Sequence, residues 1–205
     1  MLALPGPLFD IRQGVDIKGA HMIIDLNEAI SGTGGSFWDS SIILAKFLEE
    51  NNSLIENKIT LELGAGIGIT SIACKILGAS RVIATDLGEV LIGARRNIER
   101  NSVTIDCVEL DWFSPFRIDA DIIISADVVW IRELIKPYVQ TLRLQLTDTN
   151  YAILCNKIRS IPIHREFKAE LKEAGIEIRK LKKEIDFRIW RLSLSSQIIN
   201  SDNID

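Results

Sequence analysis

From Lys58 onward the apolar residues fall into two alternating rhythms: short unbroken runs, and longer stretches spaced one helical turn apart. The short runs at 59–63, 81–85, 104–110, 121–125 and 151–155 predict strands. Between them, the spacing predicts helices over about 67–77, 87–101 and 131–146. Pro162 sits where the first turn of a further helix is expected, and Gly175 is suited to end it. Two strand-like runs follow at 176–185 and 187–194, and a connection that short requires an antiparallel pair. Upstream of the core, Asp39 is the expected N-cap of a helix with Ile42, Ile43, Leu44, Phe47 and Leu48 on one broad apolar face. The first residues are read as a short leader, in which 8–12 and 21–26 pair as strands with Gly14 and Gly19 bracketing the connection.

Strand-helix alternation closed by an antiparallel pair is the signature of an α/β fold: a Rossmann-like, doubly wound sheet of seven strands, mostly parallel with an antiparallel C-terminal strand. The expected organisation is a leader or β extension over 1–35, one domain over 36–195 and a polar tail over 196–205. A ligand of such a sheet sits beyond the carboxyl ends of the central strands, where strand order reverses.

Composition narrows the picture modestly. The chain has 205 residues, the size of one domain, and its formal charge of −4 excludes a globally basic nucleic-acid footprint. No stretch reaches the ~20 consecutive apolar residues of a spanning helix. The start carries no positively charged n-region ahead of an apolar run, so no secretory signal is expected. Cys74, Cys107 and Cys155 are too far apart to suggest a CxxC zinc site or a disulfide framework. A monomer without membrane attachment, in the cytoplasm or the nucleus, is the expectation. The Lys- and Arg-rich stretch from Lys157 to Arg191, including Arg179-Lys-Leu-Lys-Lys183, reads first as a solvated face, although an acidic protein or RNA could use it.

The candidate chemistry begins with Glu62-Leu-Gly-Ala-Gly-Ile-Gly68, directly after the first core strand. Glycines here let the backbone approach a ligand closely and turn into a helix N-terminus. A dinucleotide fingerprint would place its third glycine at position 69, where Ile69 stands, and the glycine is at 68 instead. Glu62 also precedes the loop; a pyrophosphate would dislike that charge, and the ammonium of a methionine moiety would welcome it. Asp86 ends the second strand, where an acid accepts hydrogen bonds from ribose hydroxyls, although capping the next helix is its bland alternative. Together these features point to an adenosyl ligand and favour S-adenosylmethionine over NAD.

With these motifs in order, the chain resembles the seven-β-strand protein lysine methyltransferases of the methyltransferase-like, family-sixteen group. The resemblance runs from about Phe37 to Phe167. It rests on Phe37-Trp-Asp-Ser-Ser-Ile-Ile-Leu-Ala-Lys-Phe-Leu-Glu49, Leu61-Glu-Leu-Gly-Ala-Gly-Ile-Gly68, Thr85-Asp86, the spaced Asn97 and Asn101, Leu110-Asp-Trp112 and Ser125-Ala-Asp-Val-Val-Trp130. It implies S-adenosylmethionine as cofactor, S-adenosylhomocysteine as product, and a protein substrate such as a chaperone, an AAA ATPase or a translation factor. It also implies that Trp38 lines the cofactor pocket and that Gly64, Ala65 and Gly66 contact the methionine and ribose. Asp86 is to hold the ribose, Asp111 and Trp112 to flank the adenine, and Ala126 to form the pocket floor. Asp127 and Trp130 follow the fourth strand, where the methyl group is presented, and are the expected catalytic pair.

The family usually has tyrosine where this chain has Trp130; tryptophan keeps an aromatic face for an ammonium and loses the hydroxyl. The Asn/Asp-Pro-Pro-aromatic segment of many amino-group methylases of bases is absent, since here it reads Asp127-Val-Val-Trp130. Transfer to a protein lysine, with Asp127 orienting the amine, is what the resemblance implies and is the leading expectation. The alternatives are a non-catalytic adenosyl-binding interaction module, or a methyltransferase for nucleic acid, a small molecule or another protein residue.

Overall fold

The computed structural model describes residues 14–26, 36–184 and 186–195. A two-stranded hairpin comes first, β1 (Val15–Ile17) against β2 (Ala20–Met22), joined by Lys18 and Gly19, both at positive φ. Two positive φ values give the turn whose twist matches flanking antiparallel strands. His21 and Met22 thus pair with Asp16 and Val15; the segment 8–12 and the glycines at 32, 34 and 35 lie outside the described residues.

Seven further strands form one sheet: β3 (Ile59–Leu63), β4 (Arg81–Asp86), β5 (Asp106–Glu109), β6 (Ile122–Ala126), β7 (Tyr151–Lys157), β8 (Ile176–Glu184) and β9 (Phe187–Leu194). Their order is β5-β4-β3-β6-β7-β9-β8, and only β9 runs against its neighbours. This is the doubly wound sheet the sequence predicts, with strand order reversing between β3 and β6.

The strands read as unbroken apolar runs because both faces are covered. Ile122 and Ile124 of β6 enter one core cluster while Ile123 enters the other. In β7, Ile153 and Cys155 face the first, and Ala152 and Leu154 the second. The first layer holds α1 (Asp39–Glu50), α2 (Ile69–Ile76) and α3 (Leu91–Arg100); the second holds α4 (Ile135–Gln145) and α5 (Ile161–Glu173).

Several predicted helix starts move. Trp38, not Asp39, is the N-cap of α1; Asp39 is its first helical residue and is buried. The helices predicted from 67 and 87 begin at Ile69 and Leu91. The stretch from 131 opens with a 3-10 turn, Arg132–Leu134, before α4. The start of α5 follows the prediction: Ser160 caps it and Pro162 lies in its first turn.

Candidate functional site

The glycine loop emerges from β3 at the reversal of strand order and folds back over the end of β4. The N–H groups of Gly64 and Ala65 both donate to the Thr85 carbonyl, at 3.0 and 2.9 Å. The Gly66 N–H donates to the Asp86 carboxylate at 2.8 Å. Gly64 (φ +75°) must be glycine for a second reason: a Cβ there would stand 2.8 Å from Val128 and 3.1 Å from the Trp112 indole. Gly68, also left-handed, lets the chain turn into α2.

Beneath the loop lies Glu62, 1% exposed, accepting a hydrogen bond from the Ser71 hydroxyl. Burial pushes its carboxyl up to about 8, against the lowering effect of the Ser71 and Thr70 hydrogen bonds. This departs from the expectation that a Glu62 charge greets the ligand. The group accepts from Ser71 of α2 and stays out of the cavity wall, and its burial favours the protonated form. Burial likewise raises the Asp86 carboxyl, while hydrogen bonds from the Gly66 and Leu87 N–H groups pull it back down.

Beyond the carboxyl ends of β3, β4 and β6 opens a cavity of about 370 Å³, within the usual range for small-molecule sites. Its wall includes Trp38, Gly64, Gly66, Asp86, Asp111, Trp112, Ala126, Asp127 and Trp130. All of the residues expected at the site except Glu62 and Ala65 therefore meet here; Ala65, within the loop, is buried. The sequence reading missed Leu87, Val90, Leu110, Phe113, Val128 and Leu134, apolar residues that complete the wall. Trp112 meets Tyr138 edge-on with ring centroids 5.1 Å apart, which fixes its indole beside Asp111. The Asp111 carboxylate takes one N–H, from Phe113, at 2.9 Å.

Charge in this wall has one sign. Asp86, Asp111 and Asp127 line it, and among the described residues no lysine or arginine does. The N–H groups of Gly64, Ala65 and Gly66 are already spent on Thr85 and Asp86, so these three do not cradle a phosphate. An anion-binding loop needs free N–H donors. Here an apolar slot with the Asp86 and Asp111 carboxylates along one side suits a ligand that combines a flat heterocycle with ribose hydroxyls and carries no pyrophosphate. The residues fit S-adenosylmethionine better than a dinucleotide.

At the opposite end of the cavity, Asp127 sits at the close of β6 with φ +57° and 4% exposure. Its carboxylate is gripped by the Arg159 guanidinium, Nη1 and Nη2 donating at 2.7 and 2.6 Å, and it accepts the Lys157 N–H at 3.2 Å. Arg159, which no motif marked, also lies 4.9 Å over the Trp38 ring, and Trp38 stacks on Trp130 at 6.3 Å. Asp127 and Trp130 are brought together as expected, but both Asp127 oxygens are committed within the protein.

Asn97 and Asn101, whose role the sequence left open, stitch the segment after β2 onto α3. Asn97 accepts the Asp25 N–H at 2.8 Å and donates to the Asp25 carbonyl at 3.0 Å and the Ile67 carbonyl at 2.9 Å. Asn101 exchanges the same pair of bonds with Ile23, at 2.9 and 2.7 Å.

Residues 18–174 match a family model described as lysine methyltransferase. The chain is similar to the Bos taurus protein-lysine methyltransferase METTL21E, 33% identical over 151 residues, covering 66% of this chain and 51% of the relative. It is also similar to the Xenopus tropicalis EEF1A lysine methyltransferase 3, 28% identical over 134 residues, covering 62% of this chain and 59% of the relative. The chain thus spans little more than half the length of these relatives. Its fold is that of human N-acetylserotonin methyltransferase, solved with SAM, at a TM-score of 0.56, 16% identity, and coverage of 84% of this chain and 59% of that one. With the family model matched over most of its length and the motif residues gathered around one cavity, the chain belongs to the lysine methyltransferase family.

Proposed function

We propose that the chain transfers a methyl group from S-adenosylmethionine to a lysine side chain of another protein. The observation that carries the cofactor half is the glycine loop: the N–H groups of Gly64, Ala65 and Gly66 are used internally and the unpaired charges beside them are the Asp86 and Asp111 carboxylates, which disfavours a pyrophosphate and suits an adenosyl ligand without one. The solved human neighbour, which is in complex with SAM, supports the same choice. Asp86 would hold the ribose hydroxyls, and Trp112 and Asp111 the adenine face and amino group. The cofactor, when bound, supplies an electrophilic methyl on a sulfonium.

Everything else falls to this chain. Trp38 and Trp130 offer stacked indoles beside the cavity, a surface suited to an extended alkyl-amine side chain. A lysine amine has an unperturbed pKa of about 10.4 and must lose its proton to become a nucleophile. Burial against indoles favours the neutral amine. The two relatives, a protein-lysine methyltransferase and an EEF1A lysine methyltransferase, support a protein acceptor, and EEF1A is the first substrate to try. The proposed setting is cytoplasmic, where such an acceptor would be met.

The test is transfer of labelled methyl into a cell extract resolved by size, with wild type beside Asp86→Ala. A discrete protein band that fades at least ~tenfold in the variant supports the proposal. Label that disappears on nuclease treatment would redirect it to nucleic acid. A second reading, an adenosyl-binding module without transfer, draws on the engagement of Asp127 by Arg159. S-adenosylhomocysteine binding with no labelled product in any extract would favour it.

A further inference from the structure

A carboxylate beside two stacked indoles is a natural receptor for a cation. In this protein that receptor is already filled by the chain itself. The Arg159 guanidinium satisfies both oxygens of Asp127, whose side chain is 1% exposed, and covers the Trp38 ring at 4.9 Å. Arg159 remains 26% exposed, so the open part of this cluster is positive. Asp127 and Trp38 are walls of the main cavity; Arg159 itself lines the smaller neighbouring cavity, which shares Trp130 with it.

We infer that Arg159 is a selectivity residue, which makes the mouth of the site reject a protonated ammonium and admit the neutral amine. The physical basis is like-charge repulsion in a partly dry setting. A second cation brought against Trp38 and Trp130 meets the guanidinium at short range and finds no open carboxylate oxygen to offset it. A neutral amine avoids both costs. A nearby cation lowers an amine's pKa in the same way. Selection and chemistry then coincide, because the form admitted is the form that attacks. The acceptor sheds its proton to solvent on entry, so the site needs no general base, consistent with Asp127 being committed elsewhere.

The inference rests on the proposed transfer to an amine, but it is tested without turnover. The full chain, saturated with S-adenosylhomocysteine, is titrated with choline and with its neutral isostere 3,3-dimethylbutan-1-ol, following tryptophan fluorescence. Wild type is expected to bind choline no more tightly than the isostere. Arg159→Met, which keeps the length of the side chain over Trp38, should bind choline at least ~tenfold more tightly than wild type while the isostere is unchanged. Asp127→Asn added to Arg159→Met should reverse the gain. Equal choline affinity in wild type and Arg159→Met, or a parallel gain for both probes, overturns the inference, since the second result reports space and not charge. Should Arg159→Met lose S-adenosylhomocysteine binding, wild type alone decides: a clear preference for choline refutes selection against cations. A chain that labels no protein yet rejects choline fails the proposed function and keeps this inference.

Discussion

Burial under the glycine loop keeps the Glu62 carboxyl titrating near 8, whereas in the unfolded chain it titrates near its ordinary value of 4.5. The native state therefore holds a proton that the unfolded state releases between these values. Its contribution to stability is complete below 4.5 and is lost as pH rises through 8. Glu62→Gln should remove this slope; between pH 5 and pH 8.5 the urea midpoint of wild type should fall relative to the variant's, by the equivalent of a few kcal/mol, on the order of magnitude set by such a shift. At Gly64 the expectation is steric. An alanine there is strained at φ +75° and presses on Val128 and Trp112, so Gly64→Ala should weaken S-adenosylhomocysteine binding about tenfold or more by calorimetry. Most of the site was legible in the sequence at this scale, because its residues sit in short motifs at strand ends: Gly64 and Gly66 after β3, Asp86 closing β4, Trp112 after β5. Arg159 was not legible. It reaches Asp127 across 32 positions of chain, from the segment after β7 to the residue after β6, and nothing in its local sequence marks that encounter. The state of Glu62 is not legible for a related reason: a carboxyl's charge depends on burial, which neighbours in sequence do not report.

At the scale of elements, the strands were placed well because both faces of the sheet are buried, and continuous apolar runs such as Ile122 to Ile124 have no other use. Helix starts were placed less well. The expected start at 87 falls in a turn where Val90 and Leu91 donate to the Leu87 carbonyl, and α3 opens at Leu91 without a side-chain cap. Capping residues that would announce those boundaries are missing at α1, α2 and α3. The asparagine pair on α3 belongs to this scale as well. Asn97 ties the segment after β2 to the carbonyl of Ile67 in the glycine loop, and is fully buried. Asn97→Ala removes three such bonds and should cost about 2–3 kcal/mol by urea unfolding. Amide exchange at Asp25 should quicken in that variant while exchange in the central strand β6 changes only with global stability.

For the whole molecule, reversal of β9 makes β8 the outer rail of the sheet. That rail carries Arg179, Lys180 and Lys183, all exposed, and register sets Arg179 beside Arg191 and Lys183 beside Arg188. Like charges directly opposite each other oppose pairing, so added salt should raise the thermal midpoint at low ionic strength by screening them. The basic stretch singled out in the sequence thus has a local cost within the hairpin. What that cost secures concerns how many copies behave in one solution. An outer strand offers free backbone donors and acceptors to any neighbour that drifts alongside, and a row of lysines and arginines makes two such rails repel before their backbones can join. With Arg179, Lys180 and Lys183 all changed to threonine, concentrated samples should sediment as growing, heterogeneous species, whereas wild type keeps a constant sedimentation coefficient over the same concentrations. The reversed strand that closes the fold on one side would then also govern how densely the protein can be crowded before it clouds.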